Sequence, residues 1–226
     1  MKNIKISNLN FGYDESNIIF KNASLELLSG DRVCLLGENG TGKTTLLKIL
    51  SNIIPCEMTL DFCEEKNTFV KNQISNIGFI ADKPFLYEDL TGLENIKFYA
   101  NLFNTDKPVY ISLVKKLCKE FSLKDSLNTK VREYSLGMKH KLFFALIVSR
   151  NLKLILLDEP LNAFDKDSRS IALTELKKMS HKGCFMMFTT HSREVQEAIS
   201  NKYFEIRNKK IEVLKNYMRG DIVNEI

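Results

Sequence analysis

The pattern of apolar and polar positions divides the chain into stretches of strand-like and helix-like period. Ile4 and Ile6, and later Leu25 and Leu27, alternate with polar residues, which predicts two strands joined by a turn over 14–17. The same alternation predicts a further strand at Met58, Leu60 and Phe62. Continuous apolar runs, typical of parallel strands buried on both faces, follow at 77–80, 154–157 and 185–188.

The middle of the chain has a helical period instead. Apolar positions recur at helical spacing over 92–103, 109–121 and 138–150. Two further helices are predicted at 166–180 and 192–200. The tail, 202–226, is predicted to form two short strands and a final helix.

Together these elements predict an α/β fold. We expect a core with a mostly parallel sheet, an N-terminal antiparallel β-subdomain and a helical insertion. No flexible linker interrupts the chain, so we expect one domain over 1–226. In it, 1–84 and 151–226 form the core with its β-subdomain, and 85–150 form the helical subdomain.

Composition narrows the class of protein. Hydrophobic residues make up 44% of the chain and charged residues 27%, as in ordinary globular proteins. The longest strongly apolar run, 142–148, is too short to span a bilayer, and the N-terminus lacks the apolar core of a signal peptide. We therefore expect a cytoplasmic protein.

The net charge of +5 is compatible with binding to nucleic acid or to anionic lipid. The basic residues are scattered, however, which favours a solvated surface and no nucleic-acid partner.

The run from Gly37 to Thr45, here called the phosphate loop, carries the strongest chemical signal. It fits G-x-x-x-x-G-K-[ST] and stands between an apolar strand-like run and a helical run, the context that this motif requires. Its backbone N–H groups would surround phosphates, Lys43 would reach the β- and γ-phosphates, and the Thr44 hydroxyl would hold Mg²⁺. The residues expected to bind nucleotide here are Gly37, Glu38, Asn39, Gly40, Thr41, Gly42, Lys43, Thr44 and Thr45.

Two carboxylates end the apolar run at 154–157. Asp158 and Glu159 would lie at the edge of a parallel sheet where ligands bind. There Asp158 can hold Mg²⁺ through water, and Glu159 can polarise an attacking water as general base. A structural alternative is a pair of acids that caps the next helix.

The order of these motifs resembles that of the ATP-binding subunits of ABC transporters, over nearly the whole chain. The run 134–138 stands at the family signature, usually LSGGQ: Ser135 and Gly137 match, whereas Leu136 and Met138 depart from it. Read alone, Ser135 would only cap a helix over 138–150.

The resemblance assigns further residues. The run 162–165 corresponds to the family D-loop, and His191 to the histidine that contacts the γ-phosphate. Tyr13 stands where the family places an aromatic residue that stacks on adenine; Phe11 is the rival, and a core aromatic is the structural alternative.

Asp82 stands at the family's Q-loop position, where glutamine is usual. It could still hold Mg²⁺ or the attacking water, or it could be only a turn residue before Pro84. Together with the run 85–95 and the altered signature, it favours the bacitracin- and lantibiotic-resistance group of exporters, which implies export of a drug, peptide or lipid.

The resemblance also implies a mechanism and partners. ATP and Mg²⁺ would bind between the phosphate loop of one subunit and the signature of a second, in a homodimer or heterodimer. A separate integral membrane permease would hold the protein at the inner face of the cell membrane, and ATP hydrolysis would drive transport. Two alternatives stay open: a soluble ABC-type ATPase acting on ribosomes or nucleic acid, and a regulatory subunit that hydrolyses weakly.

Overall fold

Two β-sheets form the framework of the protein. The computed structural model describes residues 3–63 and 65–214. The strands in that part of the chain are β1 (Asn3–Gly12), β2 (Ile18–Leu28), β3 (Arg32–Leu36), β4 (Thr59–Phe62), β5 (Glu65–Thr68), β6 (Ile77–Ile80), β7 (Leu154–Asp158), β8 (Phe185–Thr189), β9 (Lys202–Arg207) and β10 (Lys210–Val213). The α-helices are α1 (Lys43–Leu50), α2 (Gly92–Leu102), α3 (Lys107–Glu120), α4 (Leu136–Val148), α5 (Lys166–His181) and α6 (Arg193–Ile199). Short 3₁₀ helices lie at Val70–Asn76, Lys124–Asn128 and Val131–Glu133.

The N-terminal sheet is antiparallel and has the order β2-β1-β4-β5. The alternation seen in the sequence places Ile4 and Ile6 in the core while their polar neighbours face solvent. The predicted turn joins β1 to β2, where the Asp14 carboxylate accepts hydrogen bonds from the backbone N–H groups of Ser16 and Asn17. The antiparallel β-subdomain expected from the sequence is confirmed.

The second sheet has the order β10-β9-β3-β8-β7-β6 and is parallel apart from the β10–β9 pair. Every residue of β7 and of β8 is buried, as their continuous apolar sequences predict. Because β3, β7 and β8 are neighbours, the loops after their carboxyl ends meet at one edge of this sheet.

The helical region between β6 and β7 contains α2, α3 and α4, as predicted. Thr91 begins α2 in a capping box with Glu94, and Asp106 caps α3. Helix α4 begins at Leu136, two residues before the predicted start, because the Ser135 hydroxyl accepts a hydrogen bond from the Met138 N–H and makes Ser135 the N-cap. The division of the chain at 85–150 stays a prediction.

Arg150, just after α4, attaches the helical region to the core. Its guanidinium donates hydrogen bonds to the carbonyl oxygens of Ile74, Ser75 and Ile77, next to or within β6. It also lies over the Phe103 ring, 4.0 Å from the ring centre. Burial lowers the pKa of Arg150 to about 10.

Three further outcomes concern the predicted elements. Strand β5 was not predicted, because its sequence, Glu-Lys-Asn-Thr, has no apolar alternation and only backbone pairing with β4 defines it. The two short strands of the tail are β9 and β10, whereas the predicted final helix lies outside the described residues.

Within residues 3–63 and 65–214, every helix is too short or too polar to cross a bilayer.

Candidate functional site

The phosphate loop connects β3 to α1 and is shaped by glycine. Gly42 has φ 108°, in the left-handed region, and a Cβ atom there would collide with the Ile19 side chain and press on the Phe20 ring. Gly42 is also the N-cap of α1, and none of the described side chains caps that end of the helix. The first N–H groups of α1 are therefore available to an anion.

Lys43 lies at the mouth of this loop. Its ammonium donates hydrogen bonds to the carbonyl oxygens of Gly37, at 2.5 Å, and Glu38, at 2.9 Å. Burial lowers the pKa of Lys43, and the nearby carboxylates of Glu159 and Asp158 oppose that shift. The cation is thus held between the loop and the two acids.

Asp158, the last residue of β7, is buried and meets two hydroxyl groups. Its Oδ1 accepts hydrogen bonds from Thr44 Oγ1, at 3.1 Å, and from Thr189 Oγ1, at 2.8 Å. A carboxylate and a hydroxyl are hard oxygen donors, which Mg²⁺ prefers. These residues therefore fit Mg²⁺. Among the described residues no group of three His, Cys, Asp or Glu could hold a metal.

Glu159 follows with a left-handed backbone, φ 49°. One carboxylate oxygen accepts hydrogen bonds from the His191 backbone N–H, at 3.3 Å, and from Asn162 Nδ2, at 3.2 Å. The other lies 3.5 Å from His191 Nε2. The His191 side chain is 75% exposed and that of Glu159 only 17%, so the histidine reaches outward and the acid lies beneath it.

These side chains line a cleft of about 360 Å³. The predicted site residues that it brings together are Tyr13, Asn39, Gly40, Gly42, Lys43, Thr44, Thr45, Asp158, Glu159 and His191. The predicted residues Gly37, Glu38 and Thr41 belong to the loop but do not line the cleft. Sequence reasoning missed Thr189 as a site residue, because a threonine at the end of a strand is common and its sequence carries no sign of the contact with Asp158.

Tyr13 stands at one rim of the cleft. Its side chain is more than half exposed, and its hydroxyl lies 3.0 Å from Thr45 Oγ1. Phe11, the rival candidate, packs edge-on against Tyr13 and is only half-buried against the core. Tyr13 is thus the more exposed of the two aromatic residues and the one that lines the cleft, while stacking on a base stays a prediction.

The signature residues lie away from this cleft, at the start of α4. Ser135 caps the helix, the Leu136 side chain is 64% exposed, and a Cβ on Gly137 would come 3.0 Å from the Ala163 carbonyl oxygen. A bulky residue at position 137 would therefore disturb the contact between α4 and the loop after Glu159. Within the described part of the chain, the signature residues are not among those that line the cleft at the phosphate loop.

Asp82 follows β6 at the same sheet edge but is exposed and is not among the residues that line the cleft. Burial lowers the pKa of His140 of α4, and the nearby Asp82 carboxylate opposes that shift. The predicted catalytic and metal-binding role of Asp82 stays a prediction.

Comparison with known proteins agrees with this geometry. A sequence model described as ABC transporter matches residues 20–162. The chain is 33% identical to the uncharacterized ABC transporter ATP-binding protein YdbJ of Bacillus subtilis over 80% of its own length, and the match spans 59% of YdbJ. It is 26% identical to the lantibiotic transport ATP-binding protein SrtF of Streptococcus pyogenes over 99% of this chain and 95% of SrtF.

Among solved structures with the same fold is the dimeric, post-hydrolysis ATP-binding cassette MJ0796 bound to ADP and Pi. Its TM-score is 0.79 at 21% identity, with 95% of this chain and 100% of that chain covered. The expected α/β fold with its two sheets and helical region is confirmed.

Proposed function

The chain belongs to the ABC transporter family, and from this we propose that it is an ATP-binding and hydrolysing subunit that works with a separate membrane permease. One observation carries the proposal: Lys43, Thr44, Asp158, Glu159 and His191 come from separate segments of sequence and converge in a single cleft. A phosphate-binding loop, a carboxylate that can hold Mg²⁺ and a further residue that can position the attacking water are the parts that catalyse phosphoryl transfer to water in such NTPases.

ATP would bind with its phosphates on the loop and at the N-terminus of α1. The ammonium of Lys43 would turn from the loop carbonyls towards the β- and γ-phosphates. Thr44 and Asp158 would hold Mg²⁺, which neutralises charge on the phosphate oxygens when bound. Tyr13 would stack on the adenine from the rim.

Hydrolysis would depend on Glu159. Its carboxylate is held by Asn162 and the backbone of His191, so it can orient a water and accept its proton without a large rearrangement. The exposed His191 imidazole would contact the γ-phosphate. Asp82, at the same sheet edge, would hold Mg²⁺ or the attacking water through a further water.

A second ATPase subunit would complete each site. Ser135 and Gly137 lie at the start of α4, outside the chain's own cleft, so they would meet the γ-phosphate bound to a partner subunit. The structurally similar MJ0796 cassette is dimeric, which supports the same arrangement here, in a homodimer or heterodimer.

The helical region offers a surface for the permease. Phe85 and Tyr87 are half-exposed or more, and Tyr87 packs on Phe98 of α2 with ring centres 4.4 Å apart. Interfaces between proteins are enriched in aromatic residues, which supports a partner surface at these exposed rings. We propose that Phe85 and Tyr87 dock on the permease and that this contact holds the protein at the inner face of the membrane. SrtF is named a lantibiotic transport ATP-binding protein, which supports a role in transport, and we propose export of a drug, peptide or lipid.

The test is phosphate release by the purified protein, alone and with the membrane protein that co-purifies with it. Replacing Glu159 with Gln keeps the shape but removes the base, so hydrolysis should fall by about 100-fold or more while ATP binding persists. Hydrolysis unchanged in Glu159→Gln would contradict the assignment. Co-purification of ribosomes or nucleic acid in place of a membrane protein would favour the soluble alternative.

A further inference from the structure

Thr189 lines the cleft but has none of the roles assigned above. It is the last residue of β8, lies directly beside Asp158 of β7 in the sheet register, and is 2% exposed. Its hydroxyl donates a hydrogen bond to Asp158 Oδ1, at 2.8 Å. The hydroxyl oxygen of Thr189 also accepts a hydrogen bond from the Glu159 backbone N–H, at 3.1 Å.

This pair of bonds fixes the direction of the hydroxyl. A threonine hydroxyl has one proton to donate, and the carboxylate, which can only accept, must receive it. The amide of Glu159 then uses a lone pair of the hydroxyl oxygen. One buried atom thereby holds the side chain of Asp158 and the backbone of Glu159 at once.

We propose that Thr189 is a positioning residue for both acids: it orients Asp158 as the metal-binding carboxylate and holds Glu159 in its left-handed conformation. This inference rests on the proposed function. Glu159 has φ 49°, a conformation that non-glycine residues keep only where their surroundings hold it. Hydrogen-bond partners that orient a metal ligand commonly affect metal affinity by about tenfold to a hundredfold.

A purely structural role makes a different prediction. Threonine favours strands because of its branched Cβ, and valine keeps that branched Cβ but lacks the hydroxyl. If only shape matters at this buried site, Thr189→Val should preserve the metal dependence of the protein, and Thr189→Ser should be the more damaging change. If the hydroxyl matters, Thr189→Val should be the more damaging change, and Thr189→Ser should preserve the metal dependence.

The experiment measures the affinity of trinitrophenyl-ATP in EDTA and again in Mg²⁺, by fluorescence, for the full-length protein and its variants. The gain in affinity that Mg²⁺ produces isolates the metal site from the phosphate loop. For Thr189→Val we expect unchanged affinity in EDTA and a Mg²⁺ requirement about tenfold higher or more, together with a lower rate of phosphate release. Thr189→Ser should restore the Mg²⁺ response. Thr189→Ala repeats the test with a smaller side chain should the valine variant not fold.

The matched control is Thr174→Val, which removes a hydroxyl bonded to the Ser170 carbonyl within helix α5, and it should leave all measurements unchanged. A normal Mg²⁺ response in Thr189→Val, or a serine variant as defective as the valine variant, would overturn the inference. Absence of any Mg²⁺ effect in the unaltered protein would instead count against the proposed ATPase function.

Discussion

The hydroxyl of Tyr13 lies 3.0 Å from the hydroxyl of Thr45. This contact joins the loop after β1 to the first turn of α1, so the N-terminal sheet and the phosphate loop meet at one rim of the cleft. The Tyr13 side chain is more than half exposed there, and its ring meets the Phe11 ring in an edge-to-face contact with ring centres 5.1 Å apart.

Replacing Tyr13 should therefore weaken nucleotide binding through loss of the ring. Stacking of a base on an aromatic side chain contributes about 1–3 kcal/mol, so Tyr13→Ala should weaken ATP binding by roughly 5- to 150-fold. Tyr13→Phe keeps the ring and loses only the contact with Thr45, so its affinity should change by less than about threefold. Fluorescence titration measures both. A Phe11→Leu variant that loses more affinity than Tyr13→Ala would identify Phe11 as the stacking residue.

Substitutions at Ser135 can separate its capping role from a role at the partner's γ-phosphate. Asn and Asp both cap helices as well as Ser, so Ser135→Asn and Ser135→Asp should differ in stability by less than about 0.5 kcal/mol. Only the aspartate would repel a phosphate, so Ser135→Asp should lose ATP-driven dimer formation and phosphate release while Ser135→Asn keeps much of both. Size-exclusion chromatography with ATP measures the dimer.

Mixing two inactive proteins provides the control for that result. Lys43→Ala would disable the phosphate loop and Ser135→Asp the signature. A mixed dimer would contain one site built from two intact halves, so activity should return to a substantial fraction of normal. No recovery in a verified mixed dimer would mean that the sites are not shared between subunits.

Loss of Arg150 should destabilise the whole chain, because it joins α4 to the core. Arg150→Ala removes three hydrogen bonds to backbone carbonyls and the contact with Phe103, at a cost of about 2–4 kcal/mol in the free energy of unfolding. Arg132→Ala is the matched control: its ion pair with Asp89 is largely exposed, and its loss should cost less than about 1 kcal/mol. Urea denaturation compares them; equal losses would show that Arg150 is not a structural link.

The carboxylate of Asp165, the N-cap of α5, should make the free energy of unfolding depend on pH in the acid range. The Lys141 ammonium, at 2.5 Å, and the Ser168 N–H hold the pKa of Asp165 well below its ordinary value. A carboxyl whose pKa is lowered on folding contributes stability above the unfolded value of about 4, and that contribution is lost as the pH falls below it. The side chain is more than half exposed, so the effect should stay below about 1 kcal/mol.

Asp165→Asn tests this, because asparagine still caps the helix. At pH 7 the variant should be slightly less stable than the unaltered protein. The difference should shrink as the pH is lowered from about 4, as measured by urea denaturation at several pH values. A difference that stays constant or widens in acid would contradict the sign of the argument.

Much of this architecture could be read from the sequence, and the failures have identifiable causes. Strands β7 and β8 were predictable because burial on both faces demands continuous apolar residues. Strand β5 was not, because an exposed edge strand is defined by backbone pairing that side chains do not reveal. The start of α4 was placed two residues late, at 138, because the apolar period begins there, whereas Ser135, already a candidate cap in the sequence, begins the helix directly after itself.

The site likewise contains residues that the sequence predicts and one that only the structure reveals. Contiguous motifs locate Lys43, Asp158 and Glu159, whose chemistry follows from their neighbours in sequence. Thr189 becomes informative only when the register of β7 and β8 places it beside Asp158. Asp82 shows the converse: its sequence position matches a functional one, but its side chain is exposed and is not among the residues that line the cleft, so its role stays a prediction.

Gly42 has a consequence for exchanging parts between relatives. The space that a Cβ at Gly42 would need is filled by the side chains of Ile19 and Phe20 of β2. The phosphate loop therefore packs closely against the N-terminal sheet. A chimera that replaces residues 1–30 must therefore keep side chains of the same shape at positions 19 and 20. Without them the transplanted sheet would either leave a void beneath the loop or push it aside, however intact the motif itself remained.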